Sequence, residues 1–204
     1  MTPKVLVVDD DAGVRNAMRV LLKSVGLDSA SYGSAQDFLA AYDSAQPGCL
    51  LLDIRMPGMS GLELQQQLNL RGAVIPVIFM TGHGDIPMAV EAMQHGAFDF
   101  LQKPFRDQDL IDRIQKAIAK DAELRKSLGE HERIRRRLES LTPREREVLD
   151  LMTQGKQNKA VAQALDVSPR TVEIHRARVM QKMEAGSIAE LVRMMLDMNY
   201  MSAN

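Results

Sequence analysis

The sequence predicts an α/β doubly wound domain built on a five-stranded parallel sheet, followed by a small all-α domain of four helices. Three observations predict it. Short apolar or β-branched runs alternate with helical patterns through residues 4–118. Runs such as Val5 to Val8 and Leu50 to Leu52 are continuously apolar, as strands of a parallel sheet covered on both faces should be. Beyond residue 141 the alternation stops, and cap-and-proline signals mark helix starts instead.

The strand runs are Lys4 to Val8, Asp28 to Tyr32, Cys49 to Leu52, Val77 to Thr81 and Asp99 to Gln102. Between them, Val14, Met18, Leu21, Leu22 and Val25 share one helical face. Comparable faces run through Phe38 to Tyr42, Leu62 to Leu70, Met88 to Met93 and Leu110 to Ile118. In the last part, Thr142-Pro143-Arg144-Glu145 reads as a capping box with Pro at N1. Ser168-Pro169 repeats the cap, and Ser187 to Glu190 repeats the box. With Gly155 and Gly186 as terminators, helices are expected over 143–153, 158–165, 169–183 and 188–198. Only Asp166 and Val167 separate the second from the Ser168 cap, which is a helix-turn-helix connection.

The 204 residues suit one medium and one small domain, with expected limits of 1–119, 120–140 for a helical linker and 141–204. At 45% hydrophobic and 26% charged, with no run near the roughly 18 apolar residues of a membrane span, disorder and membrane insertion are not expected. Nor does the N-terminal stretch read as a signal peptide. One cysteine, Cys49, excludes an intramolecular disulfide, and the four scattered histidines do not suggest a zinc site, so a cytoplasmic location is expected. The net charge of −1 conceals opposite signs. Residues 1–119 carry 10 Lys+Arg against 14 Asp+Glu, 120–140 carry 7 against 5, and 141–204 carry 9 against 8. An acidic front precedes a weakly basic back, a slight pointer to an anion-binding C-terminal part. In the linker, Leu124, Leu128 and Leu138 are spaced for one face, open to reading as a solvated helix or a coiled coil.

Ligands of doubly wound sheets bind beyond the carboxyl ends of the strands. The first strand runs into Asp9, Asp10 and Asp11, the third into Asp53, the fourth into Thr81, and the fifth is closely followed by Lys103. Converging carboxylates need a hard cation, and Mg2+ with a few carboxylates and several waters fits. A carboxylate beside that cation can attack a phosphoryl group; a hydroxyl and an ammonium would then receive the added charge. Asp11 reads equally as an N-cap.

Together Val7 to Asp11, Leu52 to Gly61, Met80-Thr81-Gly82-His83-Gly84 and Lys103-Pro104-Phe105 resemble a response-regulator receiver domain, flavodoxin-like in fold, over about residues 3–120. The resemblance implies that Asp53 is the phosphoacceptor and that Asp10, Asp53 and the Arg55 carbonyl hold magnesium, with Asp9 acting through water. Thr81 and Lys103 would read the phosphoryl group, Thr81 and Phe100 would be switch residues, and a cis Lys103-Pro104 bond is expected. Leu141 to Leu149, Asn158-Lys159 and Ser168 to Arg176 similarly resemble a LuxR-type DNA-binding domain over about 137–202. Order and length of both halves, with Thr81 to Met93, resemble the FixJ branch of the NarL/FixJ family.

On the third C-terminal helix, Val172, Val179 and Met183 face inward, flanked by His175 and Arg176. The outward face offers Arg170, Ile174, Ala177 and Gln181, bordered by Thr171, Glu173 and Arg178. Small or apolar groups, donors and cations are what a groove-reading face needs. With Lys159, His175 and Lys182, these are the expected DNA contacts. The resemblance implies a sensor histidine kinase as phosphodonor, promoter DNA and RNA polymerase as partners, and a homodimer when phosphorylated, formed through Ile86, Val90, Gln94 and Leu101. The expected function is a non-enzymatic two-component transcription regulator, more often an activator. Two alternatives compete: a magnesium-dependent phosphatase with an aspartyl-phosphate intermediate, and an unphosphorylated docking receiver. Neither explains both the helix-turn-helix and the full set Asp9, Asp10, Asp53, Thr81 and Lys103.

Overall fold

The structure is a computed structural model that describes residues 1–82 and 86–202, without the side chains of residues 86, 87 and 199–202. His83, Gly84 and Asp85 of the Thr81 to Met93 motif lie outside the described residues, as does the side chain of Ile86.

Strands β1 (Lys4–Val8), β2 (Asp28–Tyr32), β3 (Gly48–Asp53), β4 (Val77–Thr81) and β5 (Asp99–Gln102) alternate with helices α1 (Ala12–Ser24), α2 (Ala35–Ala41), α3 (Gly61–Leu70) and α4 (Ile86–Gln94). They form one parallel sheet in the order β2-β1-β3-β4-β5. The strand order reverses between β1 and β3, where the chain leaves the two paired strands in opposite directions, the place at which such sheets have their crevice. The side-chain alternation of β1 and β3 divides the core. Leu6, Val8, Leu50 and Leu52 pack with Phe38, Leu64 and Leu68 on one face; Val5, Val7, Cys49 and Leu51 pack with Met18, Leu22, Leu110 and Ile114 on the other.

Helix α5 (Asp107–Glu139) is followed by α6 (Pro143–Thr153), α7 (Asn158–Leu165), α8 (Pro169–Met183) and α9 (Ile188–Ser202). The capping box at Thr142 forms, and Ser168 caps α8 with Pro169 at N1. Gly155 follows α6 with φ 76°. Helix α8 ends at Met183, as expected, but it is Glu184 rather than Gly186 that adopts the left-handed cap, as Asp166 does for α7. Leu141, Val148, Leu149, Val161, Val172, Val179 and Leu191 form a separate core.

The chain divides into two compact units, Met1–Arg125 and Lys126–Asn204, a division inside α5. This departs from the expected 120–140 linker for a local reason. The buried carboxylate of Asp121 accepts the Gly48 N–H at 2.9 Å, and Arg125 donates to Asp121 and to the carbonyls of Ser44 and Gln46. These bonds fasten that turn to the first unit. Further on, Ile134 and Leu138 pack into the core of the second.

Candidate functional site

The pocket is assembled at the carboxyl ends of β1, β3, β4 and β5. Asp9 is buried directly after β1. Its Oδ1 accepts the Asp11 N–H at 2.9 Å and its Oδ2 the Lys103 ammonium at 2.9 Å. Asp53 closes β3; its Oδ1 accepts Lys103 Nζ at 2.6 Å and its Oδ2 the Arg55 N–H at 2.8 Å. One lysine therefore joins two carboxylates 44 residues apart. The Lys103-Pro104 bond is cis, as expected, and the Lys103 N–H donates to the Thr81 carbonyl at 2.6 Å, tying the lysine to the end of β4. Thr81 is buried, and Asp10 is exposed. Asp11 resolves to the capping role, its carboxylate accepting the Gly13 and Val14 N–H groups at the start of α1.

Electrostatics distinguish the members. Burial pushes the Asp53 carboxyl above its usual range, and Lys103 offsets this only in part because Asp9 adds a second negative charge. Burial alone would pull the Lys103 ammonium down, but the hydrogen bonds and charges of Asp53 and Asp9 outweigh it and hold it above its ordinary value. Gly61 allows α3 to start against this site: a Cβ there would lie 2.2 Å from the Asp53 carbonyl oxygen. A residue not anticipated from the sequence, Arg15, donates to the carbonyls of both Asp9 and Asp10. Its only sequence signal is its place one helical turn after Asp11.

The donors suit magnesium in kind. Among the described residues no three Asp, Glu, His or Cys side chains gather as a metal cage. Carboxylates and a main-chain carbonyl are hard oxygen donors of the kind that Mg2+ accepts alongside its own waters.

Beside the pocket, the α4–β5 face is apolar. Ala89, Val90, Met93, Gln94 and Phe100 line a groove of about 360 Å³, with Val90 52% and Phe100 42% exposed. Leu101, expected on this face, is 7% exposed and packs into the core with Leu110 and Ile114. Side chains alternate along β5, so placing Phe100 outward turns Leu101 inward. Phe100, expected only as a switch residue, takes its place on the face.

In the second unit, Val172, Val179 and Met183 are buried while Arg170, Glu173, Ile174, Ala177, Arg178 and Gln181 are exposed along α8, with Thr171 half-buried at its edge. Lys159 is exposed in the first turn of α7. His175 is half-buried, and its buried Nδ1 has no hydrogen-bond partner among the described residues. Lys182, expected at DNA, is instead held internally, donating to Glu145 Oε2 at 2.7 Å and the Ser140 carbonyl at 3.0 Å. That pair explains Glu145: the Lys182 bond and the Thr142 N–H bond lower its carboxyl to about 2. Among the described residues, no helix is long and apolar enough to cross a membrane.

Residues 5–115 match the family of response regulator receiver domains, and 139–195 match the bacterial regulatory proteins of the luxR family. The transcriptional regulatory protein FixJ of Azorhizobium caulinodans is 48% identical, covering 93% of this chain and 90% of its own. The response regulator protein TodT of Pseudomonas putida is 43% identical over 93% of this chain and 83% of its own. Among solved structures, the response regulator StyR has a TM-score of 0.88 at 44% identity, covering 96% of this chain and 98% of its own. Full-length FixJ from B. japonicum has 0.60 at 42% identity, covering 98% and 99%. Receiver pocket and helix-turn-helix thus occur here in the order and length of regulators known to join them, and the chain belongs to the NarL/FixJ family of response regulators, transcription regulators that pair a receiver with a LuxR-type DNA-binding domain.

Proposed function

We propose that Asp53 accepts a phosphoryl group from a sensor histidine kinase and that this modification governs promoter binding by the second unit. The observation that carries the reading is the single ammonium of Lys103 shared between Asp9 and Asp53 at the sheet's crevice. An Asp53 oxygen attacks the phosphorus of the donor phosphohistidine. The P–O bond forms as the P–N bond breaks, and the imidazole leaves. Asp10, Asp53 and the Arg55 carbonyl would hold Mg2+, with Asp9 behind a water; the ion supplies charge neutralisation for the transferring phosphoryl oxygens. Lys103, already placed at Asp53, balances the charge of about −1.5 to −2 that the phosphoryl group adds. Thr81 donates its hydroxyl to a phosphoryl oxygen, and Phe100 repacks as Thr81 moves.

Phosphorylation would favour a dimer through the face of Val90, Gln94 and Phe100, whose exposed apolar surface supports that role. Ile86 belongs to the same proposed face by its place in the motif. Two α8 helices would then meet half-sites about one turn, roughly 34 Å, apart. Arg170, Thr171, Glu173, Ile174, Ala177, Arg178 and Gln181 would face base edges and phosphates, with Lys159 on the backbone. The protein would act in the cytoplasm, recruiting RNA polymerase as an activator. Acetyl phosphate with Mg2+ should label the wild type once per chain, raise its mass on sizing to that of a dimer and tighten palindromic promoter binding. Asp53→Asn should do none of these. An Asp53→Asn protein that takes up phosphate, dimerises and binds promoter like the treated wild type would overturn the reading.

A further inference from the structure

Asp9, Asp10 and Asp11 place three carboxylates in succession on one loop, yet the three diverge in use. The Asp9 carboxylate serves Lys103 and the Asp11 N–H, that of Asp11 caps α1, and that of Asp10 is exposed. Something must hold the peptides of this loop so that neighbouring side chains take such different directions. The main chain supplies one tie, from the Asp9 N–H to the Tyr32 carbonyl of β2 at 3.3 Å. The other is a side chain. Arg15, in the first turns of α1, folds back so that its Nη1 donates to the Asp9 carbonyl at 2.7 Å and to the Asp10 carbonyl at 2.9 Å. Its guanidinium lies against Gly33, just beyond β2, where a Cβ would sit 3.7 Å from its central carbon and both terminal nitrogens.

We infer that Arg15 is a positioning residue of the acidic pocket, fixing the peptides of Asp9 and Asp10 so that their carboxylates stand ready for a divalent cation. The inference rests on the proposed Mg2+-dependent role of Asp53. What distinguishes the arrangement is the choice of acceptor. A guanidinium this close to a run of aspartates would ordinarily fork onto a carboxylate, where its geometry fits best. Here it takes two carbonyl oxygens and leaves the exposed Asp10 carboxylate outside its own bonds. Outer groups that orient metal-binding side chains are worth roughly 10- to 100-fold in metal affinity.

Charge and positioning make opposite predictions, which gives the test a sign. As a mere positive charge Arg15 repels a cation, so its removal would tighten binding. As a positioning group its removal loosens the loop and weakens binding. Mg2+ alone, titrated calorimetrically into the full chain without phosphodonor, should bind Arg15→Ala about 10-fold more weakly than wild type. Arg15→Lys, which restores a donor within reach of the carbonyls, should recover part of the loss. Arg19→Ala removes a positive charge from the same helix, where Arg19 bonds to Asn16, and should bind Mg2+ no more weakly than wild type. Thermal unfolding by circular dichroism is followed for each variant. If Arg15→Ala is unfolded at the titration temperature, Arg15→Gln and Arg15→Lys decide the question. Binding to Arg15→Ala as tight as to wild type, or tighter, overturns the inference, as does a loss that Arg15→Lys leaves wholly unrelieved. Asp53→Asn in the same titration separates the two claims. If it binds Mg2+ like wild type, the pocket reading fails; if it binds weakly while Arg15→Ala does not, only the role of Arg15 fails.

Discussion

Each unit contains a lysine bonded to a buried carboxylate, and the two constellations do opposite work. In the first, Lys103 faces both Asp9 and Asp53, so one positive charge meets two negative ones at an open rim. In the second, Lys182 faces Glu145 alone, and the same carboxylate closes the capping box of α6 through the Thr142 N–H at 2.9 Å. Burial, which the shared ammonium offsets only in part, leaves Asp53 raised, and the excess negative charge can gain from a cation; the one-to-one pair leaves Glu145 lowered to about 2 and satisfied. Residue types alone do not tell a reactive site from a staple. Charge count and access do.

The largest expected effect breaks the staple. Glu145→Ala leaves α6 without half of its capping box and Lys182 without its partner, which should cost about 3 kcal/mol. Urea unfolding of the full chain should show the loss in the second unit, with the first unmoved. With Mg2+ present, Lys103→Met should cost the first unit less, because the added cation can stand in for the ammonium between Asp9 and Asp53, whereas nothing replaces the Glu145 carboxylate. Equal costs would end the contrast.

Acid should separate the units more gently. Because the folded value of Glu145 lies below the ordinary 4.5, its stabilisation is complete above about pH 4.5 and is lost as pH falls toward about 2. Asp53 has the opposite sign: its raised carboxyl takes up a proton more readily when folded, so acidification relieves the first unit. Unfolding midpoints measured between pH 5 and pH 2 should therefore fall for the second unit, and Glu145→Gln should flatten that slope. The effect is smaller than deletion because a protonated Glu145 keeps its place.

The open rim is tested by the cation. Removing the ammonium with Lys103→Met leaves Asp9 and Asp53 unbalanced, so Mg2+ should bind about fivefold more tightly, on the order of 1 kcal/mol. Weaker binding would mean that Lys103 organises the site rather than competing within it.

Much of this contrast was legible in the sequence, and what was not has physical causes. Strand ends and cap signals are local, so the five strands, the α6 to α8 boundaries and the convergence of Asp9, Asp53, Thr81 and Lys103 could be read directly. The parity of β5 could not, because Phe100 and Leu101 are both apolar and a four-residue strand gives no alternation to choose between them. Lys182 looked like a DNA contact because its partner Glu145 stands 37 residues earlier, and long-range ion pairs leave no periodic trace. For the same reason Arg15 and the Asp121–Arg125 attachment were silent: their partners are main-chain carbonyls, which accept, and one main-chain N–H, which donates, groups the backbone carries along its whole length.

The smallest expected effect compares two serines in equivalent roles. Ser60 caps α3, accepting the Glu63 N–H at 3.3 Å in a full capping box; Ser168 caps α8, accepting the Thr171 N–H at 3.1 Å. Replacing either by Ala should cost about 1 kcal/mol of its own unit's stability, the usual worth of a cap. Their functional consequences should diverge. At α3 the next residue, Gly61, is wedged against the Asp53 carbonyl, and the Gly61 N–H donates to the Ile54 carbonyl at 2.9 Å, so the helix start stays fastened without the serine. Phosphoryl labelling of Ser60→Ala should stay within about twofold of wild type, since the 1 kcal/mol is drawn from folding rather than from the pocket. At α8 the Ser168 hydroxyl also pairs with the Thr171 hydroxyl at 2.8 Å, and Thr171 edges the exposed face carrying Arg170 and Ile174. Ser168→Ala should therefore weaken promoter binding by about twofold to threefold at a temperature where the unit remains folded, because the first turn of the helix proposed to enter the groove is loosened. Equal binding by Ser168→Ala and wild type would show that the start of α8 is held by Pro169 and the core beneath Val172, and that the contrast between the units ends at their buried charges.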